Sequence, residues 1–246
     1  MMSTTTPRRQ FLKWAGRIMA AFTLPMGCSL PSQGKADKTI TSLTLPPKNP
    51  ILSTTQAMNS PPHTPQTALE EKIGQMLMVG FRGLTVDSNH PIIEDLQHHH
   101  LGGVILFDYD VALKKPRRNI QSPSQVKKLV EQLQHFAHKP LLIAIDYEGG
   151  MINRLGEQLG FPKTVSFAYL GQVNDLNVTR QHAMEMAHTL AQLGINLNIA
   201  PVVDLALNAH NPIIARHQRS FSAQAEIVTR HALEFIKAHH RYGILA

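Results

Sequence analysis

Acids standing just past short apolar runs are the residues of this chain best suited to chemistry. Asp108 and Asp110 close "GGVILFDYD" (102–110), Asp146 and Glu148 close "PLLIAIDYE" (140–148), and Asp204 closes "INLNIAPVVD" (195–204). A carboxylate in such a place is either a ligand group for a polar substrate or the cap of the following helix. Asp146 is the first polar residue after an unbroken apolar run, and Gly149-Gly150 follow shortly after it. These glycines remove side chains where a substrate or another stretch of backbone comes close. The alternative is a tight turn whose carboxylate binds nearby backbone donors. Arg154 and Arg219, the latter in "NPIIARHQRSFS", offer forked donors to polar substrate atoms, with surface ion pairing as the alternative for either one alone.

His98-His99-His100 and His239-His240 invite a metal reading. Adjacent positions on a helix point in different directions, so these imidazoles do not converge, and neither a metal nor a cofactor is assigned. Asn119 and the basic run Lys114 to Arg118 read as a solvated or substrate-edge loop. Too few aromatics lie nearby to stack nucleic-acid bases.

The elements that position these groups follow from hydrophobic period. Apolar runs over 73–81, 102–110, 140–146 and 195–205 predict four strands. Helices are expected over 91–100 and behind Ser122, where Pro123 at the first helical position and Gln125 complete a capping box. A third carries Ala183, Met186, Leu190 and Leu193 and stops at Gly194, and a fourth carries Val228, Ala232 and Phe235 behind a Ser222 cap. Gly243 ends that helix and "ILA" begins a fifth strand. Strands alternating with helices imply an α/β fold with parallel strands, whose functional groups collect past the strand carboxyl ends.

With 246 residues, 43% hydrophobic and 17% charged, the chain can bury a substantial core. Its net charge of +7 owes four cations to the first 28 residues, which hold no acid; the remaining 20 basic and 17 acidic residues leave only +3. A nucleic-acid partner is therefore not expected. Residues 1–28 have the layout of a twin-arginine export signal: Arg8-Arg9, then Phe11-Leu12-Lys13, then an apolar stretch from Ile18 to Met26 too short to span a bilayer. Cys28, the sole cysteine, excludes an intramolecular disulfide. Its place after Gly27 resembles a bacterial lipoprotein site, which makes it the lipidation candidate; the alternative is an incidental residue of a discarded peptide. Residues 29–66, rich in Pro, Ser and Thr, read as a disordered linker, so an exported, envelope-associated domain tethered to a membrane through Cys28 is expected.

In order along the chain, "EEKIGQMLMVGF", "GGVILFDYD", "LLIAIDYEGGMINRL", "GINLNIAPVVDLALN" and "NPIIARHQRSFS" resemble the N-terminal catalytic domain of glycoside hydrolase family 3 over about residues 67–246. The bacterial β-N-acetylhexosaminidase branch is the nearest match, and β-glucosidases of the same family are the alternative. The resemblance implies a partial TIM-type (β/α) barrel of about four βα units plus the start of a fifth strand. It also implies retaining hydrolysis of terminal β-linked N-acetylglucosamine, with peptidoglycan-derived material as substrate and no cofactor. By the same resemblance Asp146 holds sugar hydroxyls, Arg154 and Arg219 contact the sugar, and the glycines give it room. The family often has glutamine where Tyr147 stands and a basic residue where Met151 stands, so these two are expected to alter the pocket edge.

The family motif K-H-F-P-G-H-G, the acid/base histidine and the nucleophilic aspartate are expected beyond Ala246, so no residue here is assigned a catalytic role. Asp204 and Glu148 have no spacing that supports them as substitutes. Four strands and a stub leave a sheet edge free, so instability alone or dependence on a complementary C-terminal fragment is expected. A cooperative melt of residues 67–246 at monomeric mass would contradict that. A non-catalytic sugar-binding remnant, or a gene fragment without activity, is the reading from another class.

Overall fold

A computed structural model describes residues 65–246; the stretch expected to be an export signal, Cys28 and residues 29–64 of the expected linker lie outside the described residues, while Pro65 and Gln66, expected to end that linker, open a helix. Four strands form one parallel sheet in the order β1 (Met78–Gly80), β2 (Gly103–Leu106), β5 (Leu142–Ile145), β8 (Leu197–Asn198). The helices between them are α2 (Pro91–His98), α3 (Pro123–Phe136) and the pair α4 (Phe167–Val173) and α5 (Leu176–Leu193). Helix α1 (Pro65–Gln75) precedes the sheet and α6 (Ala225–Arg241) follows it. Two short antiparallel hairpins, β3 (Tyr109–Asp110) with β4 (Lys115–Pro116) and β6 (Tyr147–Gly149) with β7 (Ile152–Asn153), grow directly from the ends of β2 and β5. This is the α/β arrangement of a partial (β/α) barrel. The stub is present as a single parallel bridge, Leu245 to Leu197 of β8.

Alternation along the strands builds the core. Val104 and Leu106 of β2 and Ile143 and Ile145 of β5 are fully buried, in one cluster with Val126, Leu129 and Leu133 of α3. Burying one such side chain contributes about 1.5–3 kcal/mol, so this layer sets the plane on which the strand ends sit. Helix α3 starts as its sequence dictates: Pro123 opens it and the Ser122 hydroxyl accepts from Gln125 N–H at 3.3 Å. The reciprocal half of the box lands one residue earlier, with Gln125 Oε1 accepting from Gln121 N–H at 2.8 Å.

Three expectations are corrected. The run 73–81 is not one strand, because 73–75 complete α1 and only 78–80 pair with β2. The strand expected over 195–205 keeps only Leu197–Asn198, and the chain then passes a cis Ala200-Pro201 bond into an exposed stretch that includes Asp204. Helix α6 is capped by Gln224 without a side-chain bond; Ser222 instead accepts from Gln224 N–H at 3.1 Å and shapes the turn before it.

Candidate functional site

Asp146 follows β5 immediately, and the β6–β7 hairpin then returns the chain beside it. Tyr147 pairs with Asn153, and Arg154 N–H donates to the Asp146 carbonyl at 3.3 Å. The hairpin therefore places Arg154 next to Asp146, and Arg154 Nη2 donates to Asp146 Oδ2 at 3.2 Å. Nη1 reaches Asp108 Oδ1, just past the end of β2, at 3.5 Å. One guanidinium thus bridges the ends of two adjacent strands, lying over the Phe107 ring at 5.8 Å from its centroid. Its Nε is buried without a hydrogen-bond partner.

The turn of this hairpin explains the glycines and corrects one expectation. Gly149 and Gly150 have φ of 93° and 58°, where side chains are strained. A Cβ on Gly149 would lie 2.3 Å from the Val165 carbonyl oxygen, and one on Gly150 would press on Ser166. The room these glycines leave is filled by the 165–166 backbone, not left to a sugar.

Glu148 is only 3% exposed and points to the loop after β8. There Arg219 forks onto it, with Nη2 2.7 Å from Oε1 and Nε 2.9 Å from Oε2. The loop is long enough to make this reach and is pinned by Phe221, whose ring lies tilted against Phe167 with centroids 4.6 Å apart, and by Ser220, which donates to the Asp204 carbonyl at 2.6 Å. The hydrogen bonds to Glu148 raise the Arg219 pKa, with Asp146 and Asp204 adding smaller attractions. Asp146, Glu148 and Asp204 therefore share the field of one guanidinium. Nε–H and one Nη2 hydrogen being given to Glu148, the Nη1 hydrogens and the second Nη2 hydrogen are the donors left for a ligand.

The remaining strand-tip acid is structural. Asp110 is buried, ion-paired with Arg82 and accepting from Leu113 N–H at 3.0 Å. Asn119, expected on a loop surface, is fully buried; it accepts from Phe107 N–H at 3.1 Å and donates to the carbonyls of Phe81 and Gly83. The hydrogen bond from Arg82, followed by that from Leu113, depresses the Asp110 pKa from 3.8 to about 2. A depressed folded-state pKa gives stability that is present above the unfolded value and lost as pH falls through the folded one. Melting temperature is therefore expected to fall between about pH 4 and pH 2, with Asp110→Asn flattening part of that slope in a pH series of thermal melts. Among the described residues no group of three or more His, Cys, Asp or Glu is placed to hold a metal. His239 lies in the core, its Nδ1 3.0 Å from the Phe235 carbonyl oxygen.

The chain has counterparts among known proteins. Residues 68–246 match the model of the glycosyl hydrolase family 3 N-terminal domain. The chain belongs to glycosyl hydrolase family 3. Beta-hexosaminidase A of Pseudoalteromonas piscicida is 31% identical over 198 residues, covering 72% of this chain and 31% of that protein. The beta-hexosaminidase of Pasteurella multocida is 35% identical over 159 residues, covering 63% of this chain and 41% of its own length. Among solved structures, a family 3 beta-N-acetylglucosaminidase from Paenibacillus superposes with a TM-score of 0.63 at 35% identity, covering 72% of this chain and 31% of that one. A beta-N-acetylhexosaminidase from Beutenbergia cavernae gives 0.61 at 29%, covering 72% and 52%. The chain spans less than half the length of the two curated relatives.

Within this family 3 fold the two sequence departures fall differently. Tyr147 does not edge the pocket: it points into the core, fully buried, where burial pushes its phenol up to about 12. Met151 sits at the hairpin tip, 61% exposed. Sequence reasoning missed Phe107, which supports the Arg154 guanidinium, and Asn198, which binds both the N–H and the carbonyl of Tyr147. The alternation Asn196, Asn198 on an otherwise apolar strand was the available signal.

Proposed function

We propose that this family 3 chain supplies the sugar-gripping part of a retaining β-N-acetylhexosaminidase that acts on terminal β-linked N-acetylglucosamine, with peptidoglycan fragments as its material. The observation that carries the reading is the Arg154 fork between Asp146 and Asp108 at adjacent strand ends. Carboxylate and guanidinium side by side supply the acceptors and donors that vicinal sugar hydroxyls need. Asp146 and Arg154 hold the sugar, and Arg219 adds its Nη1 donor from the loop side. Glu148 has both oxygens committed to Arg219, which disqualifies it as nucleophile. The nucleophile and the acid/base are supplied from outside residues 65–246. Calorimetry on the chain is expected to show saturable binding of N-acetylglucosamine, and the whole enzyme is expected to release a chromogenic aglycone from an N-acetyl-β-glucosaminide. Preference for a plain β-glucoside would move the assignment to the β-glucosidase branch, and absence of binding by a folded sample would sink it.

The proposal extends to location: residues 1–28 direct export, Cys28 is acylated, and 29–66 tether the domain to the cell envelope. Incorporation of a labelled fatty acid in cells is expected, and it is expected to be lost in Cys28→Ala. Label that survives the substitution would refute the anchor.

A further inference from the structure

Behind Asp146 runs a buried polar chain that the sugar contacts do not use. Asn198 Oδ1 accepts from Tyr147 N–H at 3.1 Å, and Asn198 Nδ2 donates to the Tyr147 carbonyl at 3.0 Å. One carboxamide therefore holds both polar groups of the residue between Asp146 and Glu148. Backbone pairing brings Ile199 N–H to the Ile145 carbonyl at 2.9 Å, and beyond it the Asn198 side chain takes over the work of a strand.

The second Nδ2 hydrogen goes to His239 Nε2, 3.0 Å away. His239 Nδ1 stands 3.0 Å from the Phe235 carbonyl oxygen, which only accepts, so Nδ1 carries the proton and Nε2 presents a lone pair. That tautomer allows one orientation of Asn198. Reversed, its oxygen would face the Nε2 lone pair and the Tyr147 carbonyl together. Asn198, His239 and Tyr147 are at most 1% exposed, so no water competes for these bonds.

We propose that Asn198 and His239 are positioning residues for the sugar site: His239 fixes the carboxamide, the carboxamide fixes Tyr147, and Tyr147 sets where Asp146 and Glu148 point. This rests on the sugar-binding reading above. His239 touches no ligand and acts through an acceptor atom alone, which makes rescue by an isosteric acceptor the decisive measurement. Gln at 239 offers Oε1 where Nε2 stands; Leu offers none.

The experiment uses the full chain, with calorimetry against N-acetylglucosamine, amide exchange at Tyr147, and thermal melts to confirm that each variant is folded at the assay temperature. His239→Leu is expected to weaken the sugar about tenfold, the scale of one unsatisfied buried donor, and to speed Tyr147 exchange. His239→Gln is expected to keep both near wild type. Folded His239→Leu that binds as wild type overturns the proposal, as does equal loss in both variants. Failure of the wild type to bind sinks the sugar reading itself. Unchanged Tyr147 exchange in His239→Leu overturns the clamp whether or not sugar binds.

Discussion

Asp146→Ala is expected to weaken N-acetylglucosamine binding by about a hundredfold or more while leaving the fold intact. A carboxylate that accepts two hydroxyl bonds loses about 1.5–3 kcal/mol for each charge-assisted bond removed, and the two together exceed a hundredfold. The fold survives because Arg154 is not orphaned: Nη1 keeps Asp108, and the ring of Phe107 stays beneath the guanidinium. Both side chains are also open to solvent, Asp146 at 22% and Arg154 at 30%, so the freed donor can be hydrated. Asp146→Asn keeps one acceptor and the shape, and a loss of about tenfold is expected. Asp108→Ala serves as the comparison, since Arg154 retains Asp146 and the sugar retains its carboxylate. Calorimetry paired with melts separates these outcomes, and Asp146→Ala binding within a few-fold of wild type would refute the assignment.

The strand ends were legible in the sequence because one rule governs them: an apolar run stops where the chain leaves the core. That rule located Asp108 and Asp146 and failed at Asp204, where the strand ends at Asn198 and the chain runs on outside the sheet; the fifth strand was placed at 244–246 by the Gly243 helix stop, and Leu245 makes its one bridge. It could not tell Asp108 from Asp110, two residues apart, because the difference lies in the partner. Asp108 meets Arg154 across the sheet end, whereas Asp110 turns inward to Arg82, 28 residues upstream. Pairings at such separations are set by how hairpins fold back, which no local period records. The same limit hid the purpose of Gly149 and Gly150, whose neighbour is backbone at Val165 and Ser166.

Helix boundaries were legible where capping chemistry is local, as at Ser122-Pro123, and shifted where it is not. Ser222 has the right side chain for a cap, but α6 begins two residues later because that hydroxyl is used in the preceding turn. The run 73–81 misled for another reason: Ile73 near the end of α1 and Met76 to Val79 leading into β1 are apolar, with only Gly74 and Gln75 between them, and composition alone does not mark the joint.

Arg219→Leu is expected to destabilise the folded domain by about 3–5 kcal/mol, because it strands the buried Glu148 carboxylate without its counter-ion. Glu148 is 3% exposed and receives its charge-assisted bonds from this one side chain, across 71 residues of sequence. For a domain of this size the melting temperature should fall by roughly 6–20 °C. Adding Glu148→Met removes the unpaired charge and is expected to return most of the lost stability, since an apolar pair of similar volume often replaces a buried ion pair at little net cost. Sugar affinity should behave differently: the double variant regains its melting temperature but not its binding, because the Nη1 donor is gone. If binding recovers together with stability, Arg219 is a scaffold for Glu148 and not a sugar contact. If the single variant melts within a degree or two of wild type, water reaches Glu148 once the guanidinium is removed, and Phe221 and Ser220 hold the loop without the ion pair.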